Sequence, residues 1–288
     1  MSLLFRVKAY YHLTKPGIIK GNLLSLLAGF LLASTHGIDY QLLFYAAFGV
    51  SLVIASGCVF NNYLDRGIDK TMSRTKKRAL VTGSIATPSA LLFATVLGLA
   101  GTALLLVYVN ILTALVGLSG LVLYVIVYGI AKRKTVHGTL VGTLSGATPP
   151  LAGYVAVTGQ LDATAWLLFL ILVCWQMTHF YAIAIYRAED YKAAGIPVLP
   201  LVKGIEATKF QMKLYAVAFL AATMSLLFVR DMSVCYAFGA SALGFWWLMK
   251  GNSLAVPSDE KWARQMFGAS LLVLLGWSAL TAANNWLF

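Results

Sequence analysis

Apolar residues in this chain run rather than alternate. Stretches such as 104–107 (Leu-Leu-Leu-Val) and 167–173 stay hydrophobic through both the two-residue period of a strand and the polar gaps of a half-buried helix. Nine such stretches, at 17–35, 41–62, 88–108, 111–130, 138–157, 163–186, 209–229, 232–249 and 267–287, have lengths near the roughly 20 residues that carry a helix across a bilayer core of about 30 Å. Backbone groups in lipid find partners only in helices or closed barrels, and a barrel needs alternating segments of about 10 residues. The pattern therefore predicts an all-α polytopic membrane protein of about nine transmembrane helices. Polar residues collect in two of the intervening segments, near 63–87 and 187–208, while the segments around 35–39, 109–110 and 158–162 are short and bland. The chain reads as a single membrane domain, 1–288, with a central cavity open to the side of the two longer loops, which form its cap.

Composition agrees. Hydrophobic residues make up 60% of 288 and charged residues 11%, with a mean hydropathy of +0.80, whereas a soluble domain carries about 25% charge. A net charge of +12 might be read as a nucleic-acid footprint, but 21 of the 22 Lys and Arg residues fall on one side of the predicted spans and only Arg230 on the other. That is the positive-inside pattern. It excludes nucleic acid as the partner, names the lipid bilayer instead, and places the N-terminus in the cytoplasm and the C-terminus on the outer side. The first apolar run is too long for a signal peptide and lacks a small-residue cleavage site, so it is expected to remain as a helix. Cys58, Cys174 and Cys235 are three, far apart and within spans, and are expected to be small buried hydrophobes.

The chemistry concentrates after the second span. Asn61, Asp65 and Asp69 recur at i, i+4 and i+8, on one helical face. Two carboxylates four residues apart repel, and a membrane interface adds desolvation to that repulsion, so a cation is expected between them. Oxygen ligands of this kind suit Mg²⁺, which bridges one or two carboxylates to phosphate oxygens; a diphosphate substrate follows. A solvated helix end with Arg66 paired to Asp69 is the plainer alternative. Arg74 and Arg78, in the run Arg-Thr-Lys-Lys-Arg, supply guanidinium forks for a departing diphosphate. The second loop offers Glu189 and Asp190 for a further metal and Lys192 and Lys203 for phosphate, with Gly195, Pro197 and Pro200 shaping a rigid turn. Gly138, Gly142 and Gly146 suit close helix approach, and Pro149 and Pro150 a kink lining the cavity.

These stretches together carry a resemblance. Thr14-Lys15-Pro16, Asn61 through Arg78, Gly146 to Pro150, Trp175-Gln176-Met177-Thr178-His179-Phe180 and Glu189 through Pro200 resemble the UbiA-type intramembrane prenyltransferase superfamily, and within it the branch that farnesylates heme. The likeness spans nearly the whole chain. Departures are Asn62 where the superfamily often has Asp, Ala194 where many members complete a second Asp pair, Thr178 for Pro and Gly67 for an acid. The resemblance implies a Mg²⁺-dependent transferase of a bacterial inner membrane. Asp65, Asp69, Arg74, Arg78 and Lys192 would be catalytic, and Asn61, Asp65, Asp69, Glu189 and Asp190 would hold metal. Lys15, Asn61, Asn62, Lys132, Arg133, His137, Trp175, His179, Tyr191 and Lys203 would bind farnesyl diphosphate and heme B. Heme B is then substrate rather than prosthetic group, its iron open to ligation by His137 or His179, and heme-handling or oxidase-assembly proteins are implied partners. Two rivals remain: prenylation of an aromatic quinone precursor, and transport, which favours ionisable groups nearer the bilayer midplane.

Overall fold

The computed structural model describes residues 3–252 and 257–286, so residue 287, the end of the last expected span, lies outside the described residues. Every regular element among them is helical. A first helix, α1 (Leu3–Leu13), precedes α2 (Pro16–Ala33), α3 (Tyr40–Asp69), a single turn α4 (Ala79–Thr82) and α5 (Thr87–Tyr108). Then come α6 (Ile111–Val122), a π-helical turn (Leu123–Val127) and α7 (Tyr128–Lys134), which form one rod. α8 (Gly138–Gly146) and α9 (Thr148–Thr158) follow, then α10 (Ala163–Tyr186). The short α11 (Ala188–Ala193) and α12 (Leu199–Val202) lead to α13 (Ile205–Val229), α14 (Val234–Gly251) and α15 (Asp259–Ala283).

Among the described residues, seven helical rods are individually long and apolar enough to cross a membrane. The expected spans at 138–157 and 232–249 correspond to the broken pair α8/α9 and to α14. The basic N-terminal arm is itself helical. Its Leu13 packs in a small cluster with Val59, Leu80, Ile85 and Ala90, which fixes α1 against α3 and α5. The largest revision concerns α3. The helix runs to Asp69, seven residues past the expected end at 62, because Tyr63, Leu64 and Ile68 continue its apolar face while the acids face inward.

The helices close a ring. α2 packs on α9 and α15, α3 on α5, α6 on α9, α10 on α13 and α15, and α14 on both α13 and α15. In lipid there is little hydrophobic drive between helices, so small residues at the contacts matter. A Cβ on Gly153 of α9 would run into the Leu26 carbonyl of α2, and one on Gly29 of α2 into the Pro150 carbonyl of α9. These are backbone contacts and neither can yield. Large apolar groups fill the other half, with Phe219 edge-on to Trp247 at 5.5 Å and Trp277 fully buried. Cys58 and Cys174 are buried as expected, but Cys235 is exposed, since it stands in the first turn of α14 on its outer face.

The break at Ala147 follows from the prolines. Pro149 has no N–H for the Ser145 carbonyl, and Thr148 Oγ1 donates to it instead at 2.9 Å. Gln176 Nε2 of α10 donates to the Thr143 carbonyl at 3.4 Å, so the interruption is satisfied from inside the bundle. Gly153→Ala and Gly29→Ala should each destabilise the protein by about 1–3 kcal/mol. Gly268→Ala, with nothing within 4 Å of the new carbon, should be neutral or better. Thermal unfolding in detergent checks this, and equal midpoints for all three variants would show that the α2–α9 contact is not limiting.

Candidate active site

The ring encloses one large cavity of about 620 Å³. Its wall takes residues from α2, α3, the α6–α7 rod, α8, α9, α10 and α15, and from both longer loops. The loop end is charged. Lys15, Arg74, Arg78, Lys132 and Arg187 line it against two carboxylates, Asp65 and Asp69, an excess of three positive charges. The far end is apolar and aromatic. Trp175 lies eleven residues before the end of α10, roughly 16 Å down its axis at 1.5 Å per residue.

The carboxylates are buried, Asp65 at 6% and Asp69 at 1% exposure, and each is answered by a cation from another element. Lys132 Nζ lies 2.5 Å from Asp65 Oδ2 and Arg133 Nη2 lies 3.0 Å from its Oδ1. Arg78 Nη1 meets Asp69 Oδ2 at 2.6 Å. The alternative pairing of Arg66 with Asp69 does not form; Arg66 stacks over the Tyr63 ring, 4.3 Å from its centroid. Asp69 Oδ1 is buried without a hydrogen-bond partner. An oxygen in that state inside a cationic cavity fits a Mg²⁺ ligand.

Local folding delivers Arg78. Thr75 Oγ1 donates to the Asp69 carbonyl at 3.0 Å and Arg78 N to the Thr75 carbonyl at 2.9 Å, which doubles the loop back on the end of α3. Lys15 stands before α2 with φ 52°, the one non-glycine residue of positive φ among the described residues. Strain of this sort, of order 1–3 kcal/mol, persists where surroundings impose it. Here Lys15 Nζ donates to Asn61 Oδ1 at 2.8 Å, and burial, with Arg78 nearby, draws its ammonium down to about 8 despite the opposing pull of Asp65. Tyr124 OH also donates to Asn61 Oδ1, at 3.3 Å. Thus Asn61 presents no bare oxygen, while its Nδ2 is the unpartnered atom.

Several expected residues stand elsewhere. Asn62 is buried, but its Nδ2 donates to the Leu13 carbonyl at 2.9 Å, tying α3 to α1. Lys132 and Arg133, expected to bind substrate, both pair with the buried carboxylate of Asp65; Lys132 also lines the cavity, whereas Arg133 is outside its wall. His137, Glu189, Lys192 and Lys203 are exposed and outside the cavity wall. Asp190 accepts from Ser73 N at 3.0 Å and Ser73 Oγ at 2.7 Å, and these bonds hold its carboxyl below the usual range. It clasps the two loops together. No group of three or more His, Cys, Asp or Glu side chains suited to a metal occurs among the described residues. Tyr191 does reach the cavity wall, and burial raises its phenol above the ordinary value.

Further side chains complete the wall. Tyr124, in the π-helical turn, and Tyr128, the first residue of α7, stack at 5.7 Å, 9° apart, on the rod leading to Lys132. Their spacing, Tyr124-x3-Tyr128-x3-Lys132, was visible as a second polar stripe at helical period. Arg187 and Gln176 are likewise in the wall, and Ser270 of α15 bonds to His179; a serine within an apolar run gives no signal in sequence.

The pattern of the UbiA prenyltransferase family matches residues 22–272. A protoheme IX farnesyltransferase of Yersinia pseudotuberculosis serotype O:1b (strain IP 31758) is 50% identical over 280 residues, covering 96% of this chain and 95% of its own. One from Escherichia coli O1:K1 / APEC is also 50% identical, over 279 residues, 96% of this chain and 94% of its own. Among solved structures, a digeranylgeranylglyceryl phosphate synthase superposes with a TM-score of 0.80 at 18% identity, over 97% of this chain and 98% of that one. A UbiA homolog from Archaeoglobus fulgidus bound to GPP and Mg²⁺ gives 0.65 at 17%, over 95% and 99%. At such identities the structures speak to the fold alone, but the sequence match extends across most of the chain, and the chain belongs to the UbiA prenyltransferase family.

Proposed function

We propose that this protein transfers the farnesyl group of farnesyl diphosphate to a vinyl group of heme B, giving the hydroxyethylfarnesyl heme used in terminal oxidases. One observation carries the reading: a single cavity joins a cationic end holding two buried carboxylates to an aromatic interior. The relatives' activity, at 50% identity over nearly the full length, supports heme as the acceptor. A quinone-precursor acid would use the same diphosphate end but needs only a small pocket, and leaves the aromatic interior without a task.

Asp69, through its unpartnered Oδ1, and Asp65 beside it would hold Mg²⁺ with the diphosphate, and Asn61 orders Lys15 at the same end. When bound, the metal neutralises charge on the diphosphate and favours its departure. Arg74, Arg78, Lys15 and Lys132 stabilise the negative charge that develops as the allylic C–O bond breaks and its electron pair leaves with diphosphate. The vinyl terminal carbon forms the new C–C bond to farnesyl C1. Water adds to the cationic carbon left beside the macrocycle and loses a proton. The wall around Tyr124, Tyr128 and Trp175 keeps water from the allylic cation until that bond has formed, and presents ring faces to it.

The whole chain acts as one membrane domain in a bacterial inner membrane. The loops near 63–87 and 187–208 cap the charged end from the cytoplasm, the N-terminus lies on that side and the C-terminus on the other. In a cysteine-free background, Lys76→Cys and Lys203→Cys should resist an impermeant thiol reagent in intact cells while Gln160→Cys reacts; the reverse pattern inverts the orientation.

Incubation of purified protein with heme B, farnesyl diphosphate and Mg²⁺ should yield a pigment heavier by one farnesyl group and one hydroxyl. 4-Hydroxybenzoate should stay unmodified, and the opposite result would leave the family standing but replace the acceptor. Asp65→Asn and Asp69→Asn should lower turnover on the order of 10²-fold or more, with the fold retained. Near-normal rates at saturating Mg²⁺ would remove both residues from the diphosphate site.

Ser73→Ala removes the hydroxyl half of the clasp on Asp190, leaving only the backbone N–H, without touching the cavity. Trypsin should then cut faster within 74–78 and the KM for farnesyl diphosphate should rise several-fold more than kcat falls. An unaltered cleavage rate would mean that the two loops hold together by other contacts.

A further inference from the structure

Deeper in the same cavity, the neighbours of one histidine fix where its proton lies. His179 Nδ1 is 2.7 Å from Ser270 Oγ. That hydroxyl has a single proton, and it goes to the Phe267 carbonyl at 2.6 Å. Ser270 must therefore accept from His179, and Nδ1 carries the hydrogen. A second proton, on Nε2, would put a cation without a partner in a largely apolar site, at considerable desolvation cost. The imidazole is thus neutral, with its lone pair on Nε2.

No group among the described residues hydrogen-bonds to Nε2, and the residue, 7% exposed, is part of the cavity wall. The ring is also held in place. Trp175 stacks on it at 4.7 Å and 19°, Phe267 lies 4.8 Å away at 33°, and Trp175 Nε1 donates to the Ser270 carbonyl at 2.7 Å. Ser270 accordingly orients both rings of the pair. A histidine that serves packing alone satisfies its buried nitrogens within the protein. One that binds metal has its distal nitrogen tethered, which fixes tautomer and direction, and leaves the other bare.

We propose that His179 Nε2 is an axial ligand to the iron of the porphyrin acceptor. The proposal rests on the reading of the acceptor as heme given above. Its role is positioning, since the chemistry occurs at a vinyl carbon and not at iron. Ligation would set the macrocycle plane across the Fe–N bond and stop it turning over within the aromatic interior. His137, the other candidate, is exposed at the start of α8 and outside the cavity wall.

The test uses the full-length protein in detergent with heme B, reduced and exposed to nitric oxide. The electron paramagnetic resonance spectrum of ferrous nitrosyl heme shows additional nitrogen splitting when a nitrogen ligand lies opposite NO. Wild-type protein should show it, His179→Gln should lose it, and His179→Gly should regain it when imidazole is added. Wild type should also prefer heme B to metal-free protoporphyrin IX by about tenfold or more, a preference reduced to near unity in His179→Gln. Absence of the splitting in wild type overturns the proposal with no variant needed, so a variant that fails to fold leaves it exposed. Splitting that survives in His179→Gln and vanishes in His137→Gln overturns it too. If wild-type protein farnesylates heme in either of those cases, only the ligation fails. If it neither binds nor farnesylates heme, the acceptor assignment fails with it.

Discussion

Two carboxylates one helical turn apart, both nearly inaccessible to water, govern the architecture of the charged end. Asp65 and Asp69 repel each other, and neither can shed its charge into solvent. The fold answers by bringing cations from outside α3: Lys132 and Arg133 from the rod that begins at Ile111, and Arg78 from the loop that Thr75 folds back. Replacing such a group of charges with apolar side chains would often be no worse for stability. Its retention in so apolar a chain, with Asp69 Oδ1 still unmatched, points to a ligand that completes the set. The excess of cations over acids in the wall specifies that ligand's sign.

Much of this was legible in sequence, for a physical reason. In lipid the backbone has one economical solution, so length and hydropathy fix helices with little competition from other structures. Helical period then places Asn61, Asp65 and Asp69 on one face even though α3 extends seven residues beyond its apolar run. What could not be read was pairing across the bundle. Lys132 and Arg133 look like any basic helix end, and nothing local says that their partner is 67 or 68 residues away. Glu189 and Asp190 look like a metal pair, yet one is exposed and the other holds Ser73. A sequence shows which residue types are present at a helix end. It does not show which of them the tertiary fold turns inward.

The same limit applied to the aromatic interior. Trp175 and His179 share a face by their spacing, which was readable, but Ser270 sits in a different helix amid apolar neighbours and only the packing of α10 on α15 reveals its task. The break at Ala147 was predicted from Pro149 and Pro150, and its function as a lining element follows from Gly146 and Thr148 facing the cavity. That these small residues line the wall matters. Side chains there would fill the space in which an acceptor must lie, and a Cβ on Gly146 would collide with the Gln176 side chain that satisfies the interrupted helix.

A prenyl donor and a porphyrin are opposite problems for one site. The donor has a triply charged head and an apolar tail; the acceptor is apolar over most of its area. Placing the charged recognition at helix ends and the aromatic recognition more than ten residues deeper along α10 lets each group keep its preferred surroundings. Ionic contacts to the diphosphate then form in a site already shielded from water, where they are stronger than at a surface. The allylic tail need never leave an apolar medium. In the proposed reaction the two substrates would meet at the boundary between the two regions, where Tyr128 lines the wall beside Lys132. That boundary follows from α3 carrying its acids past the end of its apolar run, so the two buried carboxylates set the depth at which the charged half of the cavity gives way to the aromatic half.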